Sequence, residues 1–200
     1  MPMLSGPLPA SLWEQLAKYL HLLSRWNQKM NLTAIRNPQE LVEVHLAECL
    51  RCAQRLPQGI QTLLDFGSGA GLPGIPIQLA RPEIAVTLTE SQSKKSAFLQ
   101  EAVRVLGMHQ SHVYAGRVEA MPAEQCFDVV TLRAVDQMEQ ILPAAIERVA
   151  QGGWCVVLTT EMQMQAIRGA TPELAWQVGD TISGSMQRIL LLGQRTIETH

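Results

Sequence analysis

Leu12, Leu16, Leu20, Leu23 and Trp26 recur at spacings of three and four, which predicts an amphipathic helix from about Ser11 to Lys29. A polar link, NLTAIRNP, follows, and Asn37, Pro38 and Glu40 have the form of an N-cap, a proline at the first helical position and a reciprocal cap partner. The helix they open is expected to run to about Arg55. From Ile60 the texture changes to short apolar runs alternating with helical patterns. Strands are expected from Ile60 to Phe66 (IQTLLDF) and at IAVTLTE, HVYAG, FDVVTLR and WCVVLTT, and helices from about Leu72, from about Ser93 to Leu106 and from about Gln137 to Val149. Such alternation indicates parallel strands joined by crossover helices and covered on both faces, an α/β sandwich. The end differs. Ala175 to Ile182 and Met186 to Arg195 are strand candidates separated only by Ser183, Gly184 and Ser185, a connection too short for a parallel crossover. An antiparallel hairpin is expected to close the sheet. There is no internal repeat, and the only join lies near Pro57 to Gly59.

Two hundred residues with 46% apolar and 17% charged content describe one globular unit able to bury a full core. No run approaches the length needed to span a bilayer, and MPMLSGPLPASL lacks the basic and apolar regions of a signal peptide, so a soluble cytoplasmic protein is expected. Cys49, Cys52, Cys126 and Cys155 form no disulfide framework and suit a reducing compartment. The net charge of −2 hides a regional difference, because residues 1–59 hold six Lys/Arg against four acids and the remainder ten against fourteen. Nucleic-acid binding is neither demanded nor excluded by that balance.

The candidate chemistry lies in LLDFGSGAGLPGIPI, Leu63 to Ile77. Its segment GAGLPG matches the dinucleotide pattern G-x-G-x-x-G, which would suggest a nicotinamide or flavin enzyme. Asp65 argues otherwise. At a strand end it would repel a pyrophosphate but attract the ammonium of S-adenosylmethionine, directly or through water, and Pro73 removes a backbone donor that a phosphate would use. The working spacing is then D-x-G-x-G-x-G, through Gly67, Gly69 and Gly71. Glu90, at the end of the next strand, can accept hydrogen bonds from ribose hydroxyls in either cofactor. A tight turn with no ligand is the plain alternative for the glycines.

With DFGSGAGLPG at Asp65 to Gly74, MNLT at Met30 to Thr33, HLAE at His45 to Glu48, RVE at Arg117 to Glu119 and FDVVTLRAV at Phe127 to Val135, the chain resembles the RsmG (GidB) family over nearly its whole length. That resemblance implies a class I, Rossmann-like methyltransferase, with a mostly parallel sheet, a C-terminal antiparallel hairpin and an N-terminal helical extension. Residues 1–200 would form a single methyltransferase domain, with helices over 1–59 and the core over 60–200. The activity implied is adenosylmethionine-dependent methylation of guanine N7 in small-subunit (16S) ribosomal RNA. The implied partner is that RNA or the small subunit, with no stable protein partner. The family's cofactor contacts fall on Gly67, Leu72, Val118, Glu119 and Arg133, and Glu90 matches its ribose-binding acid. LTES stands here for an LLDS-like segment and GSGAG for GTGPG, so the ribose acid keeps its charge on a longer arm.

Guanine N7 presents an unprotonated lone pair, so its methylation needs no general base and rests on positioning. The absence of an N/D-P-P-Y/F motif agrees with this. No residue is assigned as catalytic; Arg133, His45 and Asn31 are positioning candidates, with a structural salt bridge the alternative for Arg133. RWNQKMNLTAIR contains Arg25, Lys29 and Arg36 without an acid and is the first candidate RNA surface; Lys94 and Lys95 are the second. Trp26 continues the leucine spacing and belongs to the helix core face. His45, Cys49 and Cys52 share a helical face, but a single C-x-x-C is a poor zinc signature and no metal is expected. A non-catalytic RNA-binding module on the same fold is the other functional class.

Overall fold

A computed structural model describes residues 8–133, 138–182 and 188–196. Helix α1 (Ala10–Met30) extends the expected span by one residue at each end and buries Leu16, Tyr19, Leu22 and Leu23. It ends at Asn31, whose left-handed backbone (φ 49°) lets its N–H donate to the Asn27 carbonyl. Asparagine is among the few side chains that tolerate this conformation. Asn37 caps the next helix by accepting from the Gln39 N–H at 2.9 Å, with Pro38 at the first position. Glu40 does not serve as the reciprocal cap partner; its carboxylate turns toward Nε2 of His45 at 3.8 Å.

That helix runs without a break through α2 (Pro38–Glu40), a π-helical turn over Leu41–Leu46 and α3 (Ala47–Arg55). A π turn inserts an extra residue into the helical repeat and rotates the next turns about the axis, and such turns cluster at functional sites. Here it brings His45 and Glu48 to the buried side together.

The core alternates as expected: β1 (Thr62–Phe66), α4 (Gly74–Ala80), β2 (Ala85–Thr89), α5 (Ser93–Val105), β3 (Ser111–Tyr114), β4 (Phe127–Arg133), α6 (Met138–Glu147) and β5 (Val149–Thr160). Helix α4 starts at Gly74 rather than near Leu72, because residues 67–73 form the glycine turn. A further helix, α7 (Glu161–Ala170), has no counterpart in the sequence pattern. It buries only Ile167, so its apolar stripe is too thin to stand out along the chain. Strands β6 (Leu174–Ile182) and β7 (Arg188–Arg195) complete a seven-stranded sheet in the order β3-β2-β1-β4-β5-β7-β6. The hairpin is present, with β7 inserted between β5 and β6 and antiparallel to both. Ser183, Gly184, Ser185 and Met186 lie outside the described residues.

Side chains alternate across this sheet. Leu63, Val129, Val156 and Leu190 face one cluster with α1, α3 and α5, while Leu64, Val130, Val157 and Leu191 face another with α6 and α7. Period-two alternation with both faces apolar is the pattern of a sheet buried on both sides. The N-terminal helices are thus part of one covering layer. Asp128 locks the entry of the two central strands: its Oδ2 accepts from the N–H groups of Gln61 (2.7 Å) and Thr62 (2.9 Å), and the Thr62 hydroxyl accepts from Asp128 N–H. No helix among the described residues is long and apolar enough to cross a membrane.

Candidate active site

The order of strands places β1 beside β4 at the centre, with β2 and β3 running outward on one side and β5 on the other. In open α/β sheets a ligand crevice opens at such a point, beyond the carboxyl ends of the strands. The glycine turn occupies it. Gly67, Gly69 and Gly71 all have positive φ, of 69°, 55° and 86°. At Gly71 a Cβ would also lie 2.3 Å from the Ile75 side chain. The turn is fastened to β2: Gly67 N–H donates to the Thr89 hydroxyl (3.1 Å), Ser68 N–H to the Thr89 carbonyl (2.7 Å) and Gly69 N–H to Oε2 of Glu90 (3.2 Å). A carboxylate on the loop amides opposes a pyrophosphate, which disfavours the dinucleotide reading of GAGLPG.

Asp65 is 1% exposed and points under the loop. Its Oδ2 accepts from Gly74 N–H (3.2 Å) and its Oδ1 from the Thr131 hydroxyl (3.0 Å). Burial pushes its carboxyl up to about 6, against the opposing pull of Ser68, Thr131, Gly74 N–H and Arg133. Each Asp65 oxygen thus has one partner within the protein, which anchors the carboxylate beneath the loop and leaves it further lone pairs. Gly74 makes this packing possible, since a Cβ there would stand 2.7 Å from Asp65 Oδ2 and 2.5 Å from Leu88.

A cleft of about 160 Å³ lies against the loop, lined by Phe66, Gly67, Thr89, Glu90, Ser91, Gly116, Arg117, Val118 and Glu119. It brings together four residues named from sequence, Gly67, Glu90, Val118 and Glu119, from three separate connections. Glu90 also accepts from Gln92 N–H at 2.8 Å, so each carboxylate oxygen is oriented by one backbone donor. Arg148 carries no signal in the sequence. Buried to 6% exposure, it donates to the carbonyls of Val118 (3.2 Å), Met121 (3.0 Å) and Pro122, holding the wall of the cleft from behind. Leu72 is buried in the adjoining core.

At the end of β4, Arg133 Nη2 donates to Oε2 of Glu48 at 3.2 Å and contacts Nδ1 of His45. Arg188, at the start of β7, donates to both Glu48 oxygens at 3.1 and 3.2 Å. Burial alone would raise the Glu48 carboxyl, but His45, Arg133 and Arg188 together hold it below its ordinary value. Arg133 thus makes the salt bridge that is its alternative role, while its Nε is buried without a partner. Cys49 and Cys52 sit in the core, where burial pushes the Cys49 thiol up to about 12 and Cys52 well above its usual range.

The RNA candidates are mostly on the surface. Arg25, Lys29, Arg36 and Lys94 are exposed and Lys95 is half-buried. Asn31 is exposed and accepts from Arg36 at 2.6 Å. Trp26 packs edge-on against Phe98 of α5, ring centroids 5.7 Å apart, and its indole N–H donates to Glu101 at 2.9 Å. That places it, half-buried, against the core on the face its spacing predicts. The same packing sets the α1 and α5 cations on neighbouring helices.

The family model described as rRNA small subunit methyltransferase G, GidB, matches residues 12–187. A relative named ribosomal RNA small subunit methyltransferase G from Stenotrophomonas maltophilia (strain K279a) is 38% identical over 192 residues, 96% of this chain and 88% of that protein. One of the same name from Methylobacillus flagellatus is 37% identical over 160 residues, 80% and 77% of the two chains. Among solved structures, an O-methyltransferase family protein from Burkholderia thailandensis superposes with a TM-score of 0.62 at 15% identity, covering 94% of this chain and 69% of that one. TYW2 of M. jannaschii in complex with AdoMet gives 0.59 at 12% identity, covering 75% and 74%. At such low identity these structures establish the fold, a Rossmann-like methyltransferase sandwich. The family match takes in the N-terminal helices, the glycine turn and strands β1 to β6, and the chain belongs to the GidB family of rRNA small subunit methyltransferases.

Proposed function

We propose that the protein transfers a methyl group from S-adenosylmethionine to N7 of a guanine in small-subunit ribosomal RNA. The observation that carries this reading is the cleft in which Gly67, Glu90, Val118 and Glu119 meet at the carboxyl edge of the sheet. When bound, S-adenosylmethionine supplies an electrophilic methyl group on a sulfonium. The residues present fit it. Glu90 keeps lone pairs beyond those used by Gly69 and Gln92 and suits the ribose hydroxyls. Val118 and Glu119 form the wall for the adenine. Asp65 below the loop and Arg133 at the end of β4 carry charges opposite in sign to the ligand's ammonium and carboxylate.

The chain has no proton to remove from N7, so its work is to bring the lone pair in line with the methyl group and to exclude water. Arg133, His45 and Asn31 are positioning groups. RNA phosphates meet Arg25 and Lys29 on α1, Arg36 in the link that follows it, and Lys94 and Lys95 on α5, the helix against which Trp26 packs α1. Residues 1–59 and 60–200 act as one methyltransferase unit, because buried bonds such as Tyr19 to Ala70 cross between them. The protein works where ribosomes assemble, in the cytoplasm, without a stable protein partner.

Small subunits purified from cells lacking the protein test this reading. They accept a labelled methyl group that renders one guanine cleavable after borohydride and aniline treatment; label at another base or atom overturns the N7 assignment, and no incorporation overturns the substrate.

A further inference from the structure

One carbonyl of the glycine turn is held by a residue of the N-terminal helices. Tyr19, on α1, is completely buried, and its hydroxyl donates to the Ala70 carbonyl at 2.7 Å, across 51 residues of sequence. Ala70 stands between Gly69 and Gly71, both at positive φ, and is itself buried. Other fastenings of the turn are its amides toward Thr89, Glu90 and Ser68, the Ser68 hydroxyl toward the Asp65 carbonyl, and the Gly71 and Pro73 carbonyls toward the amides of Ile75 and Ile77. The tyrosine supplies the donor for the buried Ala70 carbonyl. A buried carbonyl left unpaired is costly, and a backbone in the left-handed region holds its shape only when its surroundings over-determine it. Burial raises the Tyr19 phenol well above its ordinary range, so the hydroxyl remains a donor throughout the working pH range.

We propose that Tyr19 is a positioning residue for the cofactor: its hydroxyl sets the conformation of Gly69–Ala70–Gly71, and so makes α1 a structural part of the S-adenosylmethionine site. The inference rests on reading that turn as the cofactor's. Loss of the hydroxyl frees the Ala70 carbonyl to rotate and spreads the turn over several conformations, of which one fits the ligand. Affinity falls by the fraction of molecules in the competent form.

Tyr19→Phe keeps the ring and removes the donor. Trp26→Phe is the control, because it cuts the tie of the same helix to Glu101 without touching the turn. Calorimetric titration with S-adenosylhomocysteine at low temperature is expected to show binding weakened about 5- to 30-fold in Tyr19→Phe, and within twofold of wild type in Trp26→Phe. In turnover assays the KM for S-adenosylmethionine rises while kcat at saturation holds. Equal affinity in Tyr19→Phe and wild type overturns the inference, as does an equal loss in Trp26→Phe, which would mark a general effect of helix docking. Wild type that fails to bind S-adenosylhomocysteine overturns the cofactor reading of the turn instead. Should Tyr19→Phe not fold, hydrogen exchange on wild type decides: amides around Tyr19 and over 68–71 gain protection together on adding S-adenosylhomocysteine, and gain at the turn alone overturns the inference.

Discussion

Glu48 and Arg133 are 85 residues apart in sequence, and Oε2 of the one accepts from Nη2 of the other at 3.2 Å with both side chains nearly excluded from solvent. With Arg188 on the same carboxylate, one acid joins α3, the end of β4 and the start of β7. Removing a single member of a buried pair leaves an uncompensated charge, which costs roughly 3–5 kcal/mol. Glu48→Ala is expected to lose stability on that scale in urea unfolding at neutral pH. Because the folded carboxyl lies below its unfolded value, its contribution is present above about pH 4.5 and is lost as pH falls through the lower folded value.

Asp65 behaves in the opposite sense. Its carboxyl rises from 3.8 to about 6 on folding, so its stabilising contribution is complete below 3.8 and is lost as pH climbs through 6. Relative to Asp65→Asn, which does not ionise, wild type is expected to lose about 2 kcal/mol between pH 4.5 and 7.5. Urea midpoints of the two proteins across that range check the sign.

Gly74→Ala tests the packing beneath the turn. The added methyl would stand 2.5 Å from Leu88 and 2.7 Å from Asp65 Oδ2. Overpacking of this kind costs about 1–3 kcal/mol, and the displaced Asp65 disturbs the turn, so ligand affinity measured by calorimetry is expected to fall with stability.

Arg148→Met strips donors from the Val118, Met121 and Pro122 carbonyls while keeping most of the side-chain volume. The cost in thermal unfolding is expected to be about 2–4 kcal/mol. The wall of the cleft loosens as well, and S-adenosylhomocysteine affinity is expected to drop by about tenfold.

Lys29→Glu and Lys94→Glu separate RNA binding from cofactor binding. Each is expected to weaken binding to small-subunit RNA and to reduce the slope of log affinity against log salt by about one for each phosphate no longer neutralised. Calorimetry with S-adenosylhomocysteine is expected to show no change.

Much of this fold is legible along the chain. Leu63 and Leu64, or Val129 and Val130, already announce a sheet buried on both faces, and the leucine spacing through Trp26 announces α1. Helix α7 escapes notice because Ile167 is its only buried residue, and periodicity is visible only where burial selects for it. Glu40 shows the same limit from another side: its position fits a capping box, but a π turn brings His45 within reach and a tertiary interaction displaces the local one.

The site divides along the same line. Residue types determine by themselves that a D-x-G-x-G-x-G turn succeeds β1 and that an acid ends the next strand, since positive φ demands glycine and a parallel sheet puts strand ends on one edge. Which atoms face the ligand and which face the protein is settled only by packing. Asp65 turns inward because Thr131 and Gly74 stand where folding puts them, and Tyr19 and Arg148 join the site because a buried carbonyl needs a donor from whatever element lies nearest in space. Separations of 51 and 27 residues leave no periodic trace, so those two supports belong to the tertiary structure alone.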